Sequence, residues 1–253
     1  MNSLLFGYSG IVSNPGRALA YVAAAIIPAV ILLRFIWNRD SWEKEPPELL
    51  RSLLLRSAIS VAIAFILEWV FGYFMEACID YMRISYEQGY YMKVCIIEAV
   101  MVGFVEEFAK DIVLFKRTWN DPAFDFRFDA IVYSAFVSLG FAAIENVKYV
   151  FSYGISVSLP RALLAIPGHL GFSVIFGYFY GRARHEANGG RDGLARTNLL
   201  IGYLLSVAAH AFYDACAMIG TSTSMGIFYV FVAVMYLFLY RLIKRESATN
   251  DYI

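Results

Sequence analysis

The sequence predicts an all-α membrane protein, a polytopic bundle of about seven transmembrane helices. Three observations predict it. Of the 253 residues, 60% are hydrophobic and 17% charged, where a soluble domain is nearer one half and one quarter. Apolar runs of about 20 residues recur along the chain, each long enough for the roughly 30 Å hydrocarbon core of a bilayer. The loops between them alternate in basic content, as cytoplasmic and outer loops do.

The elements follow in order. Asn14-Pro15-Gly16 leads into span 1 (18–37), and the segment before it lacks the basic n-region of a signal peptide. The next loop carries Arg39, Lys44 and Arg51, ahead of span 2 (53–75). Loop 76–92 sets Arg83 against Glu76, Asp80 and Glu87. Span 3 (93–115) ends on Lys116, Arg117 and Arg127, and Asp129 is the expected N-cap of span 4 (129–151). Pro160 suits the first turn of span 5 (161–180), and Pro167-Gly168 should bend that helix. Arg182, Arg184, Arg191 and Arg196 then precede span 6 (197–218). An uncharged loop leads to span 7 (225–243), which Lys244 and Arg245 close. This alternation puts the N-terminus outside and the C-terminus in the cytoplasm. The whole chain, 1–253, reads as one integral-membrane domain with a catalytic core over about 93–220.

Net charge is zero, with 21 basic and 21 acidic residues, so no nucleic-acid partner is implied. Three cysteines without a C-x-x-C point to neither a disulfide framework nor a sulfur metal site.

Ionisable residues inside a membrane are costly and mark function by default. They concentrate here in F104-V-E-E-F-A-K-D111, F141-A-A-I-E-N146, His169 and H210-A-F-Y-D214, with Glu68 and Glu98 apart from them. At 1.5 Å per residue, Glu106, Glu107, Glu145, His169 and His210 all fall within roughly 7 Å of their span centres. Residues four apart share a helix face, so Glu106 can meet Lys110, and His210 can meet Asp214. Phe141 and Glu145 repeat that spacing, with Asn146 as a neighbouring amide donor. Taken singly, each group has a structural reading as a packed ion pair or an interhelical hydrogen bond. Four successive spans offering an acid or imidazole at one depth favour a catalytic one. Two desolvated adjacent carboxylates favour one proton between them, with Lys110 as counter-charge. An ionised glutamate can then activate water, and Glu107 is taken as that base. The histidines could orient the water or stabilise an oxyanion. Alternatively Glu107, His169 and His210 with a water match a catalytic zinc set. Both routes lead to hydrolysis. A proton- or ion-coupled transporter built on the same relay is the rival reading, without the inverted repeats that would favour it.

The successive motifs E106-E107-F-A-K110, F141-A-A-I-E145-N146, His169 and H210-A-F-Y-D214 resemble those of the PrsW family of intramembrane proteases. That family is distantly related to the CAAX-processing and Abi glutamate proteases. The acidic loop D40-S-W-E-K-E-P-P47 is similar too, and the likeness covers roughly residues 35–220. It implies a bacterial multi-pass protease of the cytoplasmic membrane, cutting a membrane-anchored regulator such as an anti-sigma factor. It also implies Glu106 and Glu107 as catalytic acids, with His169 and His210 as partners and a divalent metal left open. CAAX enzymes carry His where this chain has Glu145, and Arg where it has Lys110, so their mechanism does not transfer in detail. His185-Glu186 lacks the second histidine of H-E-x-x-H, and no G-x-G-D occurs. Ser173 with His210 gives only a faint serine–histidine pair, which would leave the glutamates unexplained.

Overall fold

The computed structural model describes residues 14–40, 43–81, 89–249 and 251–253, with 76 and 78–81 described by backbone alone. Seven long helices make the bundle: α1 (Pro15–Arg39), α2 (Pro47–Tyr81), α3 (Tyr90–Thr118), α4 (Arg127–Tyr153), α5 (Ile166–Asn188), α6 (Asp192–Ile219) and α7 (Ser222–Thr249). Six of them are long and apolar enough to cross a membrane among the described residues. The exception is α3, equally long, whose charges are turned inward: Glu106, Glu107 and Lys110 are all buried. Residues 1–13 and 82–88, the latter including Arg83 and Glu87, lie outside the described residues.

The surface is greasy where a lipid-facing surface should be. Leu19 and Ile31 on α1, Leu55 and Trp69 on α2, and Val230 and Leu237 on α7 are exposed. At the centre stands α4, in which every residue from Phe128 to Ala142 is buried. It packs against α1, α2 and α5, and small residues set how close those helices come. A Cβ at Gly177 of α5 would lie 2.9 Å from the Ala130 carbonyl, and one at Gly181 2.6 Å from that of Arg127. Small residues four apart allow this close approach in membranes. Gly140 of α4 likewise faces Ser57 of α2, whose Oγ would be 2.4 Å from an added Cβ.

The caps follow local chemistry, with one correction. Asn14 caps α1, its Oδ1 accepting from the N–H groups of Gly16 and Arg17 at 3.1 and 3.2 Å. The expected N-cap of α4, Asp129, sits instead at the third helical position behind an N-cap of Phe126. From there its Oδ2 accepts from the backbone N–H of Phe126 at 2.7 Å, the acidic half of a capping box.

Pro167 falls in the first turn of α5, and the entrance to span 5 is more irregular than the sequence suggested. A 3₁₀ turn (Ile155–Val157), one α-helical turn (Ser158–Pro160) and a π-helical turn (Arg161–Ala165) precede α5. Pro167 has no N–H for the Leu163 carbonyl four residues back. Tyr236 of α7 donates its hydroxyl to that carbonyl at 2.7 Å, so the freed acceptor stays satisfied within the membrane.

Candidate active site

The site forms where α3 and α6 touch. Gly103 makes this possible: a Cβ there would lie 3.1 Å from the Ala211 nitrogen and 3.2 Å from the Val207 carbonyl. One turn further along α3, Glu107 therefore meets His210, its Oε1 accepting from Nδ1 at 2.6 Å. Lys110 donates to the same Oε1, also at 2.6 Å, and lies 3.9 Å from Glu106. The same ammonium lies 3.4 Å from His169 Nδ1 and 5.0 Å from the centre of the Phe141 ring. The three charged α3 residues are each no more than 5% exposed, so the cluster is largely dry and its charges are weakly screened.

A second arm comes from α4 and the entrance to α5. Glu145 Oε2 lies 3.1 Å from His169 Nε2 and accepts from Arg161 Nη2 at 2.8 Å. Arg161 also donates to Asn146 Oδ1 at 2.8 Å and stacks over Tyr149 at 3.7 Å. Asn146 spends its own amide on the Ala25 carbonyl of α1 at 2.9 Å, tying the first helix to the cluster. On α6, Asp214 Oδ2 is 3.3 Å from His210 Nε2, as the four-residue spacing required. Aromatic rings wall the histidines: Phe172 stacks on His210 at 4.6 Å, and the two imidazoles meet edge to face at 5.3 Å.

Every candidate residue from the sequence thus lies in one connected cluster: Glu106, Glu107, Lys110, Phe141, Glu145, Asn146, His169, His210 and Asp214. Glu68 lines the cavity beside it. Asp111 does not join; it sits among the cavity-lining residues of neither α3 nor its partners, and its buried Oδ2 has no hydrogen-bond partner. His185 is exposed. Sequence reasoning missed Arg161 and Phe172. Arg161 carried a usable signal, being eight residues before His169 and so on much the same helix face, but it was taken as the start of a span.

A cavity of about 720 Å³ opens onto the cluster, lined by Glu106, Glu145, His169 and His210 with Phe65 and Val61 of α2 on its far wall. The two adjacent glutamates differ sharply here. Glu107 Oε1 is shared by Lys110 and His210, and the residue does not line the cavity. Glu106 lines it, and its buried Oε2 has no hydrogen-bond partner.

The donor set also fits a metal ion. One ligand atom from each of Glu106, His169 and His210 lies within 4.8 Å of the others. With Nδ1 of His210 bonded to Glu107, its Nε2 faces two carboxylates, Asp214 at 3.3 Å and Glu106 at 4.0 Å. Such a convergence calls for a proton or a cation. A carboxylate behind an imidazole is also the usual support for a metal-ligating histidine.

Comparison with known proteins decides the family. The model of a family described as "PrsW family intramembrane metalloprotease" matches residues 44–240. The chain belongs to the PrsW family. Its relatives include Protease PrsW of Bacillus subtilis (strain 168), 30% identical over 91% of this chain and 96% of that one. Protease PrsW of Clostridioides difficile (strain 630) is 28% identical over 84% and 85%, and that of Oceanobacillus iheyensis 28% over 91% and 98%. No solved structure matches. As a PrsW-family member, the chain is an intramembrane endopeptidase and a multi-pass membrane protein of bacterial origin. The metal in the family description accords with the Glu106–His169–His210 triad.

Proposed function

We propose that the protein hydrolyses a peptide bond of a single-span, membrane-anchored substrate, with Glu106 as the general base. The substrate class that the family resemblance suggests is an anti-sigma-factor-like regulator, cut first at this site. The observation that carries the assignment is that Glu106 lines the cavity while its Oε2 accepts no hydrogen bond. This moves the base from Glu107, favoured on sequence, to its neighbour.

The division of labour follows from the contacts. Glu106 takes a proton from a water in the cavity as the water oxygen bonds to the scissile carbonyl carbon. As the C–N bond breaks, the same carboxylic acid returns that proton to the leaving nitrogen. Glu107 stays an anion between Lys110 and His210 and fixes the orientation of that imidazole. Glu145, clamped by Arg161, does the same for His169. Arg161 is thus a positioning residue that acts through Glu145. A divalent metal, if bound, would be held by Glu106, His169 and His210, and would acidify the attacking water in place of Glu106 as a free base.

The test is co-expression with candidate single-span substrates, comparing wild type with Glu106→Gln, Glu107→Gln and His210→Ala for a truncated product. Cleavage at the wild-type rate in Glu106→Gln rules out this base.

A further inference from the structure

We propose that a groove on the opposite side of α6 is a binding site for one anionic phospholipid, with its headgroup on Arg241 and Arg245 and an acyl chain against Phe212 and Phe231. The groove runs between α5, α6 and α7 and has a volume of about 840 Å³. Its floor is Ala208 and Ala209, whose small side chains leave the space open, and Tyr178 and Phe179 form one wall. Phe212 and Phe231 close its apolar end, their rings 4.8 Å apart.

Polarity is confined to the other end. There Arg241 and Arg245 line the groove, and Arg182 donates to the Tyr178 hydroxyl at 3.1 Å. Arg245 lies 5.8 Å from the same tyrosine ring, so two guanidiniums flank one side chain. Their charge is only partly balanced. Glu246 accepts from Arg245 Nε and Nη2 at 2.9 and 2.8 Å, and also lies 3.7 Å from Arg127. Among the described residues no carboxylate pairs with Arg241. Guanidinium forks match phosphate oxygens, and basic pockets between transmembrane helices recognise anionic lipid headgroups.

Length selects a lipid over other occupants. Ten residues separate Phe231 from Arg241 on α7, about 15 Å of helix. One leaflet of a bilayer contributes about half of its roughly 30 Å hydrocarbon core, the same span. The arginines also sit at the end of the bundle that carries Arg182, Arg184, Arg191 and Lys244, where headgroups of that leaflet lie. A phospholipid in this leaflet therefore reaches both ends of the groove at once.

The test uses the full chain purified in a non-ionic detergent, with phosphatidylglycerol and phosphatidylcholine of equal chain length as probes in native mass spectrometry. Phosphatidylglycerol should be retained preferentially, and Arg241→Gln/Arg245→Gln should lower its retention about fivefold for each arginine. Ala209→Trp, which keeps both arginines but fills the groove, should also release it. In a Phe231→Trp variant, phosphatidylglycerol brominated on its acyl chain should quench the new tryptophan more than the unbrominated lipid. Equal retention of both lipids overturns the proposal, as does an unchanged double variant. Retention that survives Ala209→Trp means headgroup contact without a seated chain, and overturns the groove. A wild-type dimer that Arg241→Gln/Arg245→Gln dissociates, with no lipid effect, assigns the face to a second copy instead.

Discussion

Two buried clusters of carboxylates sit in this bundle, and they are built to opposite plans. In the active-site cluster each anion faces a cation or imidazole: Glu107 with Lys110 and His210, Glu145 with Arg161 and His169, Asp214 with His210. The other lies at the end of the bundle where α1, α2 and α4 meet the D40-S-W-E-K-E-P-P47 loop. There Glu45 and Asp129 share a site, and the Tyr133 hydroxyl touches Glu45 while lying 2.8 Å from the Ala123 carbonyl. Tyrosine has one hydroxyl proton. With that proton on Ala123, Glu45 must supply its own. Burial, and then the neighbouring Asp129, push the Glu45 carboxyl well above the usual carboxylate range. Burial likewise lifts Asp40 to about 6, although Lys44 opposes the shift. Lys44 itself donates to the carbonyls of Trp37 and Asp40, closing the end of α1.

The difference shows that a buried carboxylate is not in itself a catalytic sign. The loop cluster keeps Glu45 protonated and lines neither cavity, which is how a structural joint behaves. The mid-bundle cluster keeps charges, balances them and opens onto space with one oxygen left unpartnered. That combination allows chemistry.

The comparison can be broken most directly at Glu106. Glu106→Gln is expected to lower cleavage of a co-expressed single-span substrate by at least about 10²-fold, as loss of a general base does. The thermal midpoint in detergent should hardly move, because no hydrogen bond to Oε2 is lost. Metal content sharpens the same contrast: Glu106→Gln and His210→Ala should each lose bound zinc on elemental analysis of the purified protein, whereas Glu45→Gln should keep the wild-type stoichiometry. Equal loss in all three would mean that the clusters are not functionally distinct.

A smaller effect is expected at Arg161. Arg161→Ala should cut the cleavage rate about tenfold, the size of a supporting contact behind a ligand. Arg161→Lys should recover part of it by restoring the charge opposite Glu145 without the fork to Asn146. A change in substrate affinity with no change in turnover would place Arg161 in binding rather than positioning. The smallest effect belongs to Glu45. Its folded-state proton affinity is raised, so above pH 4.5 the unfolded chain releases a proton that the folded chain keeps. Stability therefore falls as pH rises through that window. Melting curves at pH 5.5 and 8.5 should show this decline shallower in Glu45→Gln, with cleavage unchanged. A steeper decline in the variant would refute the protonated acid.

Much of this was legible in the sequence because membrane burial restricts what a helix can carry. A long apolar run needs no tertiary information to become a span, and a glutamate inside one has few harmless explanations. Periodicity placed Asp214 beside His210 and Lys110 beside Glu106 and Glu107, because i,i+3 and i,i+4 contacts are local. Asp129 was misplaced by three residues, since cap and third position exchange easily when the preceding residue is an unexpected phenylalanine. Arg161 was missed because it stands at the start of span 5, where an arginine reads as a helix-end residue.

The sequence by itself determined the helical membrane bundle and nine of the residues that come together in the cluster. The tertiary structure decided how the adjacent glutamates divide. Neighbours on a helix point about 100° apart, so only Glu107 takes the short hydrogen bonds of Lys110 and His210. Gly103, against Val207 and Ala211, seats α3 so that Glu107 meets His210 and Glu106 turns to the cavity. That contact joins residues about a hundred positions apart, and no local pattern in either helix specifies it.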